Sequence, residues 1–148
     1  MHPLPRQLLS SSALSDRLSS PSIEIDVARR ERTNVVLIGP AARCDDVIAT
    51  LGPALIAPIV VCRARDGLVL PPPAMVGTLI LRDVDALVRA DQRRLLDWLG
   101  HAVAVKVIST ATASLLPRIE RGAFLDSLYY RLNTICILMM GAEERRRA

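Results

Sequence analysis

Five short aliphatic runs constrain the fold of this chain more than any other feature of its sequence. They are rich in Val, Ile and Leu, and they lie at 34–38, 58–62, 78–81, 105–109 and 134–139. Short runs that stay apolar, without regular polar alternation, are typical of strands covered on both faces. Because helical patterns separate the runs, the sequence predicts an α/β fold: a three-layer parallel sheet of about five strands.

Helical patterns lie at 44–51, 88–100 and 123–133. The second has an apolar face that begins with Val88, and it places Gly100 where a left-handed residue commonly ends a helix. The third repeats Phe124, Leu128 and Leu132 at intervals of four residues. This spacing predicts one buried helical stripe.

The length and composition of the chain fit one domain. With 148 residues, of which 51% are hydrophobic, the chain can form a sizeable core. We expect a mobile Ser- and Pro-rich tail over 1–20, one α/β domain over 21–140 and a charged tail over 141–148. Ser20 is expected to cap a first helix, and LPPPAM at 70–75 predicts a rigid linker that contains no secondary-structure element.

Charge and cysteine usage argue against several classes of function. Lys106 is the one lysine among 19 basic residues, and the arginines are scattered rather than gathered in a stripe. With aromatic residues at only 3%, a nucleic-acid surface is not favoured. Cys44, Cys62 and Cys136 are too far apart for a zinc site and fit reduced thiols in a cytoplasm. No apolar run reaches the ~20 residues of a membrane span. From the cysteine spacing, the apolar runs and the scattered arginines, we expect no metal, no membrane contact and no direct DNA binding.

Three segments carry a family resemblance. RIERGAFLDSLYYRLN at 118–133 resembles the G-x-F-R-x-D-L-Y-Y-R-L-N segment in the AAA+ ATPase domain of sigma-54-dependent transcription activators. GTLILRDVDALVRADQRRLLDWL at 77–99 is similar to that family's G-T-L-F-L-D-E-V strand and following helix, and VKVISTATASL at 105–115 to its sensor strand. The resemblance covers about 33–133 and implies a P-loop NTPase/AAA+-like core.

The same alignment brings the first predicted strand, at 34–38, and the turn that follows it into register with the family's phosphate loop, G-E-x-G-T-G-K-E. In such a loop, glycines let backbone N–H groups approach the phosphates, and a lysine neutralises their charge. Here Gly39 is retained, Ala42 and Cys44 replace glycines, and Asp45 stands in place of the lysine, followed by Asp46. The resemblance therefore implies a loop that has lost its phosphate clamp.

The other catalytic positions are also altered. Where the family has an Asp–Glu pair that holds Mg²⁺ and orients water, this chain has Arg82 and Asp83. Thr112 stands at the sensor position. Of the two arginines that reach a neighbouring subunit's nucleotide, the first is replaced by Leu125 and the second is kept as Arg131. The resemblance thus implies a pseudo-ATPase with no bound cofactor.

Two larger parts of the family pattern are missing. The long insert with G-A-F-T-G-A, which contacts the sigma factor, is reduced to 14 residues at 63–76, and the given sequence ends at GAEERRRA, before the family's helical lid and DNA-binding helix-turn-helix. We therefore expect a catalytically inactive, cytoplasmic AAA+-like module without a helical lid. Its expected role is regulatory, through a protein partner or self-association at the 124–133 helix.

Two alternatives remain open at this stage. A weak nucleotide-binding domain could use backbone amides after Gly39 without a lysine. A receiver-like signalling domain could use Asp45, Asp46 and Asp83 as an acidic phosphoacceptor pocket, with Lys106 as its lysine. Acetyl-phosphate labelling and nucleotide titration separate these possibilities.

Simpler interpretations of the same residues also stand. Asp45 and Asp46 could be acids in the first turn of a helix, where the helix dipole favours them. A Cys44 thiol at that terminus could have a lowered pKa, although no partnering histidine is identifiable. Arg131 could be a solvated helix residue.

Overall fold

The computed structural model of the protein describes residues 22–30 and 33–139. Its helices are α1 Ser22–Arg30, α2 Ala41–Leu51, α3 Arg89–His101, α4 Leu116–Glu120 and α5 Asp126–Leu132. Its strands are β1 Val35–Ile38, β2 Ile59–Arg63, β3 Thr78–Arg82, β4 Lys106–Ala111 and β5 Ile135–Leu138. The predicted tails at 1–20 and 141–148, and the Ser20 cap, lie outside the described residues.

Within the described residues, the five strands form one parallel sheet in the order β2-β3-β4-β1-β5. The predicted fold class is therefore confirmed. The order reverses at β1, since the chain leaves β1 for the far edge and returns to it through β4. Ligand crevices of open parallel sheets form outside the carboxyl ends of the strands at such a switch point.

This strand order excludes the receiver-like alternative. Receiver-type sheets have the order 2-1-3-4-5, which places β1 between β2 and β3. Here β1 pairs with β4 and β5 instead. In addition, Lys106 opens β4 at the amino-terminal edge of the sheet, where its Nζ donates to the carbonyl oxygens of Ala28 (2.8 Å) and Thr33 (2.9 Å). It is therefore a structural residue far from the acidic side chains that follow β1 and β3.

Two hydrophobic clusters cover the two faces of the sheet. Ala28 of α1 and Leu51 of α2 pack on one face, and Leu95 of α3 and Leu128 of α5 pack on the other. Every residue of β1 and β4 is buried, as expected for strands covered on both faces. The prediction is wrong for the edge strand β2, because Ile59 and Val61 remain 45% and 52% exposed.

The ends of two helices differ from the predictions. Helix α2 begins at Ala41, three residues earlier than predicted, and α3 continues through Gly100 to His101. Gly100 is therefore helical and not a left-handed terminus. Val88 precedes the first turn of α3 and is 62% exposed. Trp98 instead completes the buried stripe, because it lies one turn after the buried Leu95.

The short connection between β2 and β3 is held against α3. Part of it, Pro73–Met75, forms a 3₁₀ turn, so the prediction that 70–75 contains no element is wrong. Three side-chain hydrogen bonds to its backbone fix this segment: Cys62 Sγ to Val69 O (2.8 Å), Arg94 Nη1 to Leu68 O (3.1 Å) and Trp98 Nε1 to Pro71 O (2.7 Å). The connection is therefore an ordered strap across one edge of the sheet.

Candidate functional site

The candidate site lies at the carboxyl ends of β1, β3 and β4. Gly39 follows β1, and its N–H donates to the carbonyl oxygen of Ala111 at the end of β4 (2.9 Å). A Cβ atom at Gly39 would lie 2.7 Å from the carbonyl oxygen of Met139, so only glycine fits. Close backbone packing is therefore sufficient to require the glycine that the resemblance assigns to a phosphate loop.

The turn after β1 is too short to form a phosphate-wrapping loop. Only Gly39 and Pro40 separate β1 from α2, and the N–H groups of Arg43 (3.0 Å) and Cys44 (3.1 Å) both donate to the Pro40 carbonyl oxygen. The residues aligned with loop positions are consequently helical: Ala42, Cys44, Asp45 and Asp46. The two aspartates lie beyond the first turn of α2, so the first-turn interpretation is wrong.

Asp45 and Arg82 form an ion pair across the crevice. Asp45 Oδ1 lies 2.5 Å from Arg82 Nη1, and their side chains are 53% and 22% exposed. In the family pattern, the first position carries the lysine and the second a metal-binding aspartate. In the register that the resemblance predicts, Asp45 and Arg82 carry the opposite charges to the family pattern, and their charges neutralise each other between α2 and β3.

A second ion pair holds the residue after β3. Asp83 adopts a left-handed conformation (φ 57°, ψ 48°), and its N–H donates to Thr110 Oγ1 (3.1 Å). Its Oδ2 lies 3.4 Å from Arg65 Nε in the strap. Arg82 and Asp83, which the resemblance aligns with the Asp–Glu pair, are therefore both engaged in Asp–Arg contacts.

Thr112, at the predicted sensor position, contacts an acid that the sequence reasoning did not single out. Its Oγ1 donates to Oδ2 of the buried Asp85 (3.1 Å), and Asp85 Oδ1 has no partner among the described residues. A signal for Asp85 existed, since an acid stands inside the apolar stretch VDAL.

Cys44 is a structural thiol. It is buried, and its Sγ lies 3.7 Å from the carbonyl oxygen of Gly39. Burial raises the pKa of the Cys44 thiol, and the neighbouring Asp45 raises it further. The expectation of a lowered pKa at this residue is therefore wrong, because the thiol points into the layer between α2 and the sheet.

The described residues at the carboxyl ends of the strands line two cavities that bear on the candidate site. The one beside the ion pair, lined among others by Gly39, Arg82 and Thr112, measures about 80 Å³. Ligand pockets commonly measure about 300–1,000 Å³, so the space is narrow where phosphates would be expected. A larger and mostly apolar cavity of about 590 Å³ lies between the ends of β1, β4 and β5, next to Pro40 and Met139.

The 124–133 segment is anchored by a buried glutamine of α3, a role that the sequence pattern did not predict. Gln92 of α3 is 1% exposed. Its Nε2 donates to the carbonyl oxygens of Leu87 and Ala123 (3.0 Å each), and its Oε1 accepts from the N–H of Leu125 (2.8 Å). The main chain of Leu125, at the first arginine position, is thereby fixed to α3.

Arg131 lies at the opposite edge of the sheet from Gly39. It occupies the last turn of α5, where Leu132 is buried and the Arg131 side chain is exposed. Its carbonyl oxygen accepts a hydrogen bond from Asn34 Nδ2 (2.9 Å), while Asn34 Oδ1 accepts from the N–H of Val107 (2.9 Å). The backbone of Arg131 is therefore tied to β1 and β4, and its guanidinium remains available.

Metal-binding and membrane-spanning features are absent from the part of the chain that the structure describes. It contains no group of three or more His, Cys, Asp or Glu side chains arranged to hold a metal. None of its helices is both long and apolar enough to cross a bilayer.

The domain is an α/β domain with the P-loop NTPase arrangement. Three features define this class: a parallel sheet with a switch point at β1, a glycine directly after that strand, and acidic residues after β3. Residues 9–141 match the family model described as the sigma-54 interaction domain. The chain therefore belongs to the sigma-54 interaction domain family.

A curated relative is the probable regulatory protein HrpR of the pathogenicity locus of Pseudomonas syringae pv. syringae. It is 32% identical over 98 residues, which cover 58% of this chain and 31% of HrpR. The chain thus spans about a third of the length of this relative.

Solved structures of other proteins share the fold. NtrX from Brucella abortus in complex with ATP superposes with a TM-score of 0.66 at 20% identity, over 93% of this chain and 39% of NtrX. The P-loop NTPase domain of a sigma-54 transport activator from E. coli has a TM-score of 0.61 at 17% identity, over 86% of this chain and 97% of that domain.

Proposed function

We propose that this protein is a catalytically inactive member of its family that acts in the cytoplasm as a regulatory or protein-interaction module in transcription control. The Asp45–Arg82 ion pair is the observation that carries the proposal. A triphosphate needs positive charge from the loop and a metal held by carboxylates. Here the Asp45 carboxylate stands where the positive charge of the loop is needed, and the Arg82 guanidinium stands where a metal-binding carboxylate is needed.

Two further features support the loss of ATP chemistry. The two-residue turn after β1 leaves few N–H groups to surround a phosphate, since those of Gly39, Arg43 and Cys44 already donate to carbonyl oxygens. The cavity beside the ion pair, at about 80 Å³, is well below the size of a ligand pocket. Neither feature depends on the alignment with the family.

Calorimetric titration with Mg-ATP, together with a phosphate-release assay, tests the proposal. We expect no hydrolysis above background and no tight binding, and an active sigma-54 AAA+ domain serves as the positive control. Low-micromolar affinity for Mg-ATP, or turnover that scales with the concentration of this protein, would overturn the proposal.

The interaction role rests on the 124–133 segment. Its core residues Phe124, Leu128 and Leu132 are explained by packing. Arg131 is not, because its exposed side chain makes no hydrogen bond or ion pair with a described residue. HrpR is named a regulatory protein, which is consistent with a regulatory role for this chain.

The larger apolar cavity favours a second candidate function, nucleotide binding without hydrolysis. It lies beside Gly39, and Thr112 and Ser114 supply hydroxyl groups to a mostly apolar wall. Such a site would hold the base and sugar rather than the phosphates. Titration with adenosine and with ATP separates the two functions: the second candidate requires adenosine to bind at least as tightly as ATP, and the first requires neither to bind.

A further inference from the structure

We propose that a groove around Arg131 binds an acidic side chain within an otherwise apolar segment of a partner protein. This Arg131 groove is lined, among others, by Thr33, Asn34, Val103, Tyr130 and Arg131, and it measures about 330 Å³. The inference rests on the interaction part of the proposed function and names the chemistry of the partner.

The groove lies at the amino-terminal edge of the sheet, between the end of α5 and the residues that follow α3. It is on the other side of the domain from the Asp45–Arg82 pair, because β1 runs from Val35 at this edge to Ile38 beside Gly39. The groove is therefore separate from the candidate nucleotide crevice, and its contacts do not require that crevice to be occupied.

Charge defines the ligand. Among the described residues that line the groove, Arg131 is the one that carries a charge, and no described residue forms an ion pair with its guanidinium. This contrasts with Arg65 and Arg82, which both pair with aspartates. An unpaired guanidinium with a fixed backbone is suited to bidentate contact with a carboxylate.

Apolar side chains flank the charge. Val103 is 86% exposed and Tyr130 is 73% exposed, although both are residues that gain from burial. Tyrosine and arginine are enriched among the residues that dominate binding energy at protein interfaces. The partner segment is therefore expected to place apolar residues on both sides of its acid.

A purely structural role for Arg131 makes a different prediction. In the last turn of α5 its charge also complements the helix dipole. If that were its whole role, Arg131→Gln would change stability slightly and would not change the binding of any peptide.

Selection from a phage-displayed library of random peptides tests the proposal. The folded wild-type chain serves as bait, with counter-selection on Arg131→Gln. Peptides that survive are synthesised in pairs that differ only by Asp to Asn or Glu to Gln, and affinities are measured by calorimetry. Arg43→Gln is the matched control, since Arg43 is an exposed helical arginine at the opposite edge of the sheet.

We expect the selected peptides to carry an acid between apolar residues. Binding should weaken about tenfold or more on loss of the acid or of Arg131, as for a charge-assisted hydrogen bond, and should be unchanged in Arg43→Gln. Three results would overturn the proposal: no peptide that depends on Arg131, Arg131-dependent peptides without an acid, or self-association of the chain that Arg131→Gln abolishes. A parallel selection without the counter-selection gives the comparison: if it yields peptides that bind wild type and Arg131→Gln equally while the first selection yields none, the interaction role stands and the Arg131 groove is overturned as its site.

Discussion

Neutralising Asp45 and Arg82 separately and together measures how strongly the reversed charges interact. The atoms are 2.5 Å apart, but the Asp45 side chain is 53% exposed, so solvent screens the attraction. Pairs of this kind contribute about 0.2–1 kcal/mol, and we expect a value near the upper end because the Arg82 side chain is only 22% exposed. Asp45→Asn, Arg82→Gln and the double variant should therefore give a coupling energy of about 0.5–1 kcal/mol in urea unfolding.

Charge reversal extends the same test. Asp45→Lys places two cations together and Arg82→Asp places two or three carboxylates together, so each single variant should be less stable than wild type. The double variant should recover most of the loss, because it restores an ion pair in the opposite sense. It should still fail to bind Mg-ATP, since the turn of Gly39 and Pro40 remains too short.

The control is Asp46→Asn, because Asp46 is exposed and makes no ion pair with a described residue. It should change the free energy of unfolding by less than about 0.5 kcal/mol. The coupling should shrink as ionic strength rises. A coupling energy near zero, or a charge-reversed double variant as unstable as the sum of its singles, would refute the description of Asp45 and Arg82 as an interacting pair that occupies the proposed inactive site.

Three further predictions concern stability. Gln92→Leu leaves three backbone groups without their buried partner, so it should lower the free energy of unfolding by about 2–4 kcal/mol. The control Arg93→Gln, on the exposed face of α3, should leave the free energy of unfolding unchanged. Equal effects of the two substitutions would contradict the anchoring role of Gln92. Burial raises the pKa of the Cys44 thiol, so the stability that the protonated thiol contributes is fully present below the ordinary thiol pKa of about 8.5 and is lost as pH rises through the pKa in the folded state. The urea midpoint should therefore fall between pH 8 and pH 10, and it should fall less steeply in Cys44→Ala. An identical slope in the two proteins would count against Cys44 as the cause. Trp98→Phe removes the hydrogen bond to Pro71 and should destabilise the strap by about 1 kcal/mol. Amide hydrogen exchange in the strap should therefore become faster than in wild type, while exchange in β4 should change less. Unchanged exchange in the strap would show that other contacts hold it.

The sequence by itself determined the elements and their class. The five strands lie within two residues of the predicted runs, because short apolar stretches bounded by polar or helical segments encode local structure directly. The family motif at 118–133 pointed to the family that the matched model identifies. The scarcity of lysine was also readable without a structure, since a count of residues does not depend on any alignment.

The tertiary structure decided which of these residues meet. Asp45 and Arg82 come together only because parallel pairing through β4 sets the end of β3 beside the start of α2. The burial of Gln92 and the exposure of Val61 depend likewise on which helix covers which strand. Periodicity along a chain records which face of an element is apolar, but the neighbour of that face is set by packing between segments far apart in the sequence.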